Sequence, residues 1–212
     1  MSDEVYGALL AELLGLGSAC VGDAGGLVMS SSIRPAWVGS MVAGPAYTLR
    51  CGPGHNLALH VAIAQAPAGS VLVADATADP EWGYWGEVLT EAAMARGLVG
   101  LVIDGGARDI DPIERLGFPL FAERVCHRGA GKLGPGAVGG PVTVGGALVN
   151  TGDLVIGDRD GVTVVPVDDA FDAVVAKARA KAAAEPSIIE QLRAGATTLQ
   201  ILGLDTSDID RP

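Results

Sequence analysis

The chain has 212 residues, of which 49% are hydrophobic, and a formal net charge of −11. This length suits one substantial domain, and the composition excludes an intrinsically disordered chain. The negative charge repels nucleic acid phosphates and anionic lipid surfaces, so we expect neither nucleic acid nor a membrane as a partner.

The first part of the chain predicts alternating helices and strands. Helices are expected at 1–17, 57–66, 86–97 and 110–116, and strands at 41–50, 70–76, 98–104 and 118–122. The last strands alternate with helices, which is typical of right-handed βαβ units and a parallel sheet. The segment 98–104 is expected to end at the glycine pair 105–106.

Beyond residue 135 the pattern changes to short strands separated by glycine and aspartate turns, which predicts a β-rich layer against the α/β core. Asp168 is expected to cap a helix over 168–185 that ends before Pro186, because proline removes a backbone donor. We therefore predict one domain over 1–212, an α/β/α-type sandwich with βαβ units, a mixed sheet, a β-rich C-terminal half and a C-terminal helical segment over 168–212.

Three widely separated cysteines without a CxxC pair predict reduced thiols and a cytoplasmic protein. The acidic N-terminus lacks the basic region of a signal peptide, and no apolar run reaches the length that spans a bilayer.

Three segments are expected at the rim where strands end and helices begin, which is where parallel sheets bind ligands. They are GHN at 54–56, WGEVL at 85–89 and GGARD at 105–109. One helix and one strand separate the second from the third, so both should reach the same edge of the sheet.

Glu87, Arg108 and Asp109 are the rim residues best suited to chemistry. Two carboxylates around an open position suit a hard cation such as Mg²⁺, and an arginine fork suits a substrate carboxylate. The alternative is a surface ion pair in which Asp109 caps the next helix. His55 is left open between loop structure and substrate contact, and His60 is expected to be a satisfied core or interface histidine.

Around these residues the sequence resembles a known family. The similarity is carried by WGEVL, a 20-residue gap between Glu87 and Arg108, the Arg-Asp pair, LGFPLFA and GDLVIGDRDGVTVVP. These segments look like the class II pyruvate aldolases, which include 4-hydroxy-4-methyl-2-oxoglutarate aldolases that are also oxaloacetate decarboxylases, and the RraA-like regulators of ribonuclease activity. The resemblance runs from about Val42 to about Pro166.

The resemblance implies a metal-dependent lyase in a homotrimer, or in two stacked trimers, with sites at subunit interfaces. In that family the aldolases carry Asp or Glu before the gap and the regulators tend to carry Gly, so Glu87 favours an enzyme. Asp109 would bind Mg²⁺, or another divalent metal such as Mn²⁺, directly and Glu87 would bind it through water. Arg108 would grip the pyruvate carboxylate.

The resemblance also implies that the backbone N–H groups of the segment that opens the helix receive substrate oxygens; its residues are Gly86, Glu87, Val88 and Leu89. Two positions depart from the family pattern. Pro112 stands where the family often has an acid, and His55 in PGHN replaces the acid of PGDN, at a position where we expect substrate contact.

Both expected reactions, aldol cleavage of a 4-hydroxy-2-oxo acid and decarboxylation of oxaloacetate, leave the enolate of pyruvate, which a metal on the 2-oxo oxygen stabilises. A Schiff base is not expected, because none of Lys132, Lys177 and Lys181 lies in the motif region. The base for the 4-hydroxyl proton is left open between a metal-bound water and His55.

Two other functions remain open. One is a non-catalytic regulator that binds an RNA-degrading enzyme; the other is methyl transfer in quinone synthesis, which no glycine-rich nucleotide loop in this sequence supports.

Overall fold

The computed structural model describes residues 3–209, except for the side chain of Asp3. The helices within that range are α1 (Asp3–Leu16), α2 (Ser18–Ala24), α3 (Leu57–Gln65), α4 (Glu87–Ala95), α5 (Ile110–Leu116), α6 (Phe171–Arg193) and α7 (Thr198–Leu202). The strands are β1 (Leu27–Val28), β2 (Arg34–Pro35), β3 (Val42–Arg50), β4 (Val71–Asp75), β5 (Gly83–Trp85), β6 (Gly100–Ala107), β7 (Leu120–Val125), β8 (Ala137–Val138), β9 (Val142–Val144), β10 (Ala147–Val149), β11 (Leu154–Gly157) and β12 (Val162–Val165).

A parallel core forms the centre of the main sheet. Strands β3, β4, β6 and β7 lie side by side and run parallel, and β5 adds to the end of β6. On the β3 side the sheet continues with antiparallel β11, β12 and β1, and β2 closes the other edge. Helices α3, α4 and α5 make the crossovers between parallel strands, so the predicted α/β class with βαβ units and a mixed sheet is confirmed.

The packing of the core on the two faces of the sheet shows how the layers are arranged. Strand β4 is buried on both faces: Leu72 packs with helices α3 to α5, whereas Val71 and Val73 face a second cluster with Val144 and Val149 of the β9–β10 hairpin. A continuous run of β-branched and aliphatic residues is typical of a strand covered on both sides. The predicted β-rich C-terminal half is therefore divided, because β11 and β12 extend the main sheet while the β9–β10 hairpin packs against one of its faces.

The terminal helices cover the outside of the antiparallel part of the sheet. A third cluster joins Leu13 of α1, Val21 of α2 and Val175 of α6 to Ile156 and Val165. Among residues 3–209 no single helix is long and apolar enough to cross a bilayer; α1 and α2 satisfy that length and composition test only when taken together across their 96° bend.

Strand β6 is longer than predicted. It does not stop at residue 104 but continues through Gly105 and Gly106 to Ala107. A side chain at Gly106 would lie within 2.5 Å of the Trp82 carbonyl oxygen, because β5 pairs with β6 at that point. The glycines therefore let two backbones approach closely and do not end the strand.

Helix α6 also departs from the prediction. It begins at Phe171, and Asp168 lies before it, where its carboxylate accepts the Ala170 N–H at 2.8 Å. The helix then passes through Pro186, which is exposed, so water can hydrate the carbonyl that proline leaves without a donor. Beyond Ala178 no residue of α6 is buried, and apolar side chains remain exposed at Ile189 and on α7.

Candidate functional site

The backbone is strained where β6 ends. Asp109 has φ 58° and ψ 41°, and it is the only non-glycine residue with a positive φ in the part of the chain that the structure describes. For an L-residue other than glycine this left-handed conformation costs about 1–2 kcal/mol, less for Asp and Asn. Such strain persists where the surroundings impose it, and it is concentrated at functional sites.

The side chain of Asp109 does not cap its own helix. Although Asp109 occupies the N-cap position of α5, it makes no capping hydrogen bond. Its Oδ2 instead accepts the backbone N–H of Glu87 at 3.1 Å and lies 3.7 Å from Nε of Arg108. The simple capping ion pair considered as the alternative is therefore not the arrangement found, and the carboxylate joins two segments of the rim.

Glycines line the path of the Arg108 side chain. A Cβ at Gly83 would lie 3.2 Å from Cδ of Arg108, one at Gly86 3.3 Å from Cγ, and one at Gly129 3.0 Å from Nη1. The Arg108 N–H is bonded to the Trp85 carbonyl at 2.9 Å. The backbone thus directs the guanidinium between segments that have no side chains of their own to block it.

Helix α4 begins beside this pair. Its first intrahelical hydrogen bond is donated by Thr90 N–H to Gly86 O at 3.1 Å, so the N–H groups of Val88 and Leu89 have no partner within the helix. The positive end of the helix dipole therefore faces the region of Arg108. The Glu87 side chain is exposed.

A cavity of about 140 Å³ lies between these elements. It is lined by Asn56, His60, Gly83, Tyr84, Trp85, Gly86, Val88, Leu89, Arg108, Asp109, Ala130 and Lys132. All three predicted rim segments thus contribute to its wall, through Asn56, through the 85–89 segment and through the Arg108–Asp109 pair, but the Glu87 side chain is not among the lining groups.

Two polar atoms near this cavity are buried without a hydrogen-bond partner in the described structure. The Asn56 amide donates to the Tyr84 carbonyl at 2.9 Å, which leaves its Oδ1 without a donor. His60 Nε2 is likewise unpartnered within the described chain, so it is not a satisfied core histidine, and a role at an interface stays a prediction. Burial, and secondarily the nearby charge of Lys132, lowers the pKa of His60, which favours a neutral imidazole.

Sequence reasoning placed the GHN segment at the rim but did not single out the side chains of Asn56, His60 and Lys132 as lining groups. Asn56 and His60 lie four positions apart at the start of α3, a spacing that puts side chains on one helix face and could have revealed them. Lys132 was set aside because it lies outside the motif. It reaches the cavity from a glycine-rich loop, which has no periodicity to indicate where its side chains point.

His55 lies apart from this wall. Its Nδ1 accepts the backbone N–H of Leu133 at 3.2 Å, and its ring is packed between Gly131 and Gly134. Pro112 lines a neighbouring cavity of about 380 Å³, which shares Arg108 and Asp109 with the first.

The donor set restricts the kind of metal that could bind. Among residues 3–209 no three His, Cys, Asp or Glu side chains come together as ligands. The site offers the carboxylate of Asp109, whose Oδ1 takes no hydrogen bond from the described residues, and the nearby exposed Glu87. Such a set fits Mg²⁺, which retains several waters and commonly takes only one or two carboxylates.

Comparison with known proteins agrees with the family resemblance seen in the sequence. Residues 18–164 match the RraA-like family model, described as Aldolase/RraA. A Halalkalibacterium halodurans protein with the name "Putative 4-hydroxy-4-methyl-2-oxoglutarate aldolase" is 37% identical over 151 residues, which are 70% of this chain and 72% of the relative.

Two solved structures share the fold over most of their length. An uncharacterized protein from Pseudomonas syringae pv. tomato has a TM-score of 0.78 and 32% identity, covering 91% of this chain and 96% of its own. Streptomyces coelicolor RraAS2, an unusual member of the RNase ES inhibitor RraA protein family, has a TM-score of 0.74 and 29% identity, covering 88% of this chain and 98% of its own.

Proposed function

Because the chain belongs to the RraA-like family, which comprises aldolases and RraA proteins, we propose that it is a divalent-metal-dependent lyase. It cleaves 4-hydroxy-2-oxo acids of the 4-hydroxy-4-methyl-2-oxoglutarate type to pyruvate, and it decarboxylates oxaloacetate. One observation carries the proposal: the strained Asp109 holds its carboxylate at the start of α4, beside the Arg108 guanidinium.

Arg108 and the start of α4 bind the carboxylate of the pyruvate half. The guanidinium can make two parallel hydrogen bonds to a carboxylate, and the N–H groups of Val88 and Leu89 are available as further donors at the positive end of the helix. This pocket gives the substrate a fixed orientation even though the whole chain is negatively charged.

Asp109 holds the metal, which we propose to be Mg²⁺ or Mn²⁺, and Glu87 reaches it through water. When bound, the metal supplies Lewis-acid stabilisation of the negative charge that develops on the 2-oxo oxygen. Asp109 can serve in this way because one of its oxygens is held by the Glu87 N–H while the other takes no hydrogen bond from the described residues.

The other lining groups favour a substrate with a hydroxyl and a second anionic group. Lys132 adds a second cation to the cavity wall, which suits a dicarboxylate. Asn56 Oδ1 can only accept a hydrogen bond, so it favours a hydroxyl donor. His60 Nε2 takes the 4-hydroxyl proton as the C3–C4 bond breaks and its electron pair remains on C3 of the pyruvate half.

The test is pyruvate release from oxaloacetate, measured with Mg²⁺ and after chelation, with the metal-only rate subtracted. We expect metal-dependent release that falls about 10- to 100-fold in Arg108→Ala, because a charged hydrogen-bonding partner is lost. Arg115→Ala, which removes an exposed arginine from the last turn of α5, is the matched control and should retain the rate. No release above the metal-only rate would refute the proposal.

The likeness to RraAS2 supports one alternative, a non-catalytic regulator that binds an RNA-degrading enzyme. Glu87 favours the lyase over the regulator, because an acid at this position is the feature by which the sequence resembles the aldolases. Stoichiometric capture of an RNA-degrading enzyme by a chain without lyase activity would favour the regulator.

We propose further that the protein is a homotrimer, or a hexamer of two trimers. The exposed leucines of α7, Leu199 and Leu202, support association of this end of the chain with another copy. The three cysteines, all of which are free thiols in the structure, support a reducing cytoplasm as the compartment.

A further inference from the structure

The loop over residues 128–136 is fastened to the rest of the protein at several separate points. The Gly83 N–H donates to the Arg128 carbonyl at 2.7 Å. Further along the loop, Gly131 exchanges two backbone hydrogen bonds of 2.8 Å, one donated to Gly54 O and one accepted from Asn56 N–H. These bonds align the loop beside the turn that precedes α3.

Besides the Arg128 guanidinium, which lies 3.7 Å from the centre of the Trp82 ring, His55 makes a further attachment with its side chain. Its Nδ1 accepts the Leu133 N–H at 3.2 Å. A Cβ at Gly131 would lie 2.5 Å from that nitrogen, and one at Gly134 would lie 2.9 Å from Cγ of the ring. The imidazole therefore fills a space that two glycines leave open, and it is half-buried there.

This loop supplies part of the cavity wall. Lys132 and Ala130 line the cavity, and Gly129 borders the end of the Arg108 side chain. The residues on both sides of Lys132 are the ones that His55 contacts. Most of the loop is exposed, Leu133 to 79%, so its own hydrophobic packing contributes little to its position.

We propose that His55 is a positioning residue, which seats the 128–136 loop so that Lys132 faces the cavity and favours substrates with a second anionic group. This inference rests on the proposed function for the identity of the substrate, but not for the seating of the loop. It also gives the histidine of PGHN a role that does not require contact with substrate.

The seating of the loop can be measured without activity, by tryptic cleavage of the Lys132–Leu133 bond followed by mass spectrometry on the full-length protein. We expect His55→Leu, which fills the space but cannot accept a hydrogen bond, to be cleaved about five- to tenfold faster than the original chain. His55→Asn, whose Oδ1 can replace Nδ1 as acceptor, should restore resistance. Equal cleavage rates in all three proteins would overturn the proposal.

The effect on substrate preference is measured as the ratio of kcat/KM for oxaloacetate decarboxylation to kcat/KM for exchange of the pyruvate C3 protons with deuterated water. We expect this ratio to fall about tenfold in His55→Leu and in Lys132→Met. The double variant should be no worse than Lys132→Met alone, because both changes remove the same contact.

Additive losses in the double variant would show that His55 does not act through Lys132, and would overturn the proposal. If the original chain catalysed neither reaction, the proposed lyase would fall, while the cleavage rates alone would still uphold or refute the seating of the loop by His55.

Discussion

Replacement of Gly86 by alanine tests the geometry of the site with a single methyl group. A Cβ at this position would overlap Oδ2 of Asp109 and lie 3.3 Å from both Cγ and Nε of Arg108. No other heavy atom comes as near to the added carbon, so the substitution acts on the two residues that carry the proposed chemistry.

The fold should tolerate the change. Gly86 has φ −164° and ψ −173°, an extended conformation that alanine adopts freely. Alanine is a poorer N-cap than glycine, so we expect a loss of up to about 1 kcal/mol in the free energy of unfolding. The Asp109 carboxylate, however, must move away from the Glu87 N–H, and a displacement of about 1 Å in a catalytic group costs roughly 100-fold in rate.

The assay compares metal-dependent pyruvate release and urea unfolding in Gly86→Ala and Gly140→Ala. Gly140 has open space where its Cβ would lie and does not require a positive φ, so its variant should match the original chain in both measurements. Gly86→Ala should remain folded and lose about 100-fold in rate. A rate within twofold of the original, with unchanged unfolding, would refute the proposed role of the Asp109 carboxylate.

Three further predictions concern other parts of the molecule. Asp109→Asn should change the free energy of unfolding in urea by less than about 1 kcal/mol, because asparagine tolerates the left-handed backbone, yet it should lower the metal-dependent rate about 100-fold; a fully active variant would contradict the proposed metal ligand. Burial raises the pKa of Asp104 from 3.8 to about 6, so its proton favours the folded state and this contribution to stability is lost as the pH rises through 6. The free energy of unfolding of the original chain should therefore fall by about 2–3 kcal/mol relative to that of Asp104→Asn between pH 4 and pH 7. If the two proteins differed in this free energy by the same amount at both pH values, the prediction would be contradicted. Simultaneous replacement of Leu199, Leu202 and Leu204 by serine should lower the mass measured by light scattering towards that of a monomer, and an unchanged mass would exclude a role for this exposed surface in assembly.

The sequence alone was enough to predict the α/β class, the crossover helices and the meeting of the second and third rim segments. Each of these follows from local pattern. Buried strands such as β4 are continuous apolar runs, and one helix plus one strand returns the chain to the same edge of a parallel sheet. In the structure these two segments meet, because the Asp109 carboxylate accepts a hydrogen bond from the Glu87 N–H.

At two of the element boundaries that differ from the prediction, tertiary context overrode local propensity. Glycines usually interrupt a strand, yet Gly106 lies inside β6 because another strand approaches it closely. Pro186 usually ends a helix, yet α6 contains it on an exposed stretch where water can replace the missing donor.

The makeup of the site itself depended on the tertiary structure. The left-handed backbone of Asp109 and the approach of Lys132 from a distant loop leave no periodic trace in the sequence. Periodicity records which face of an element is buried, whereas the direction of a side chain in a loop depends on contacts with residues far away in the chain. For that reason the sequence determined which elements meet at the rim, and only the folded structure decided which side chains line the cavity there.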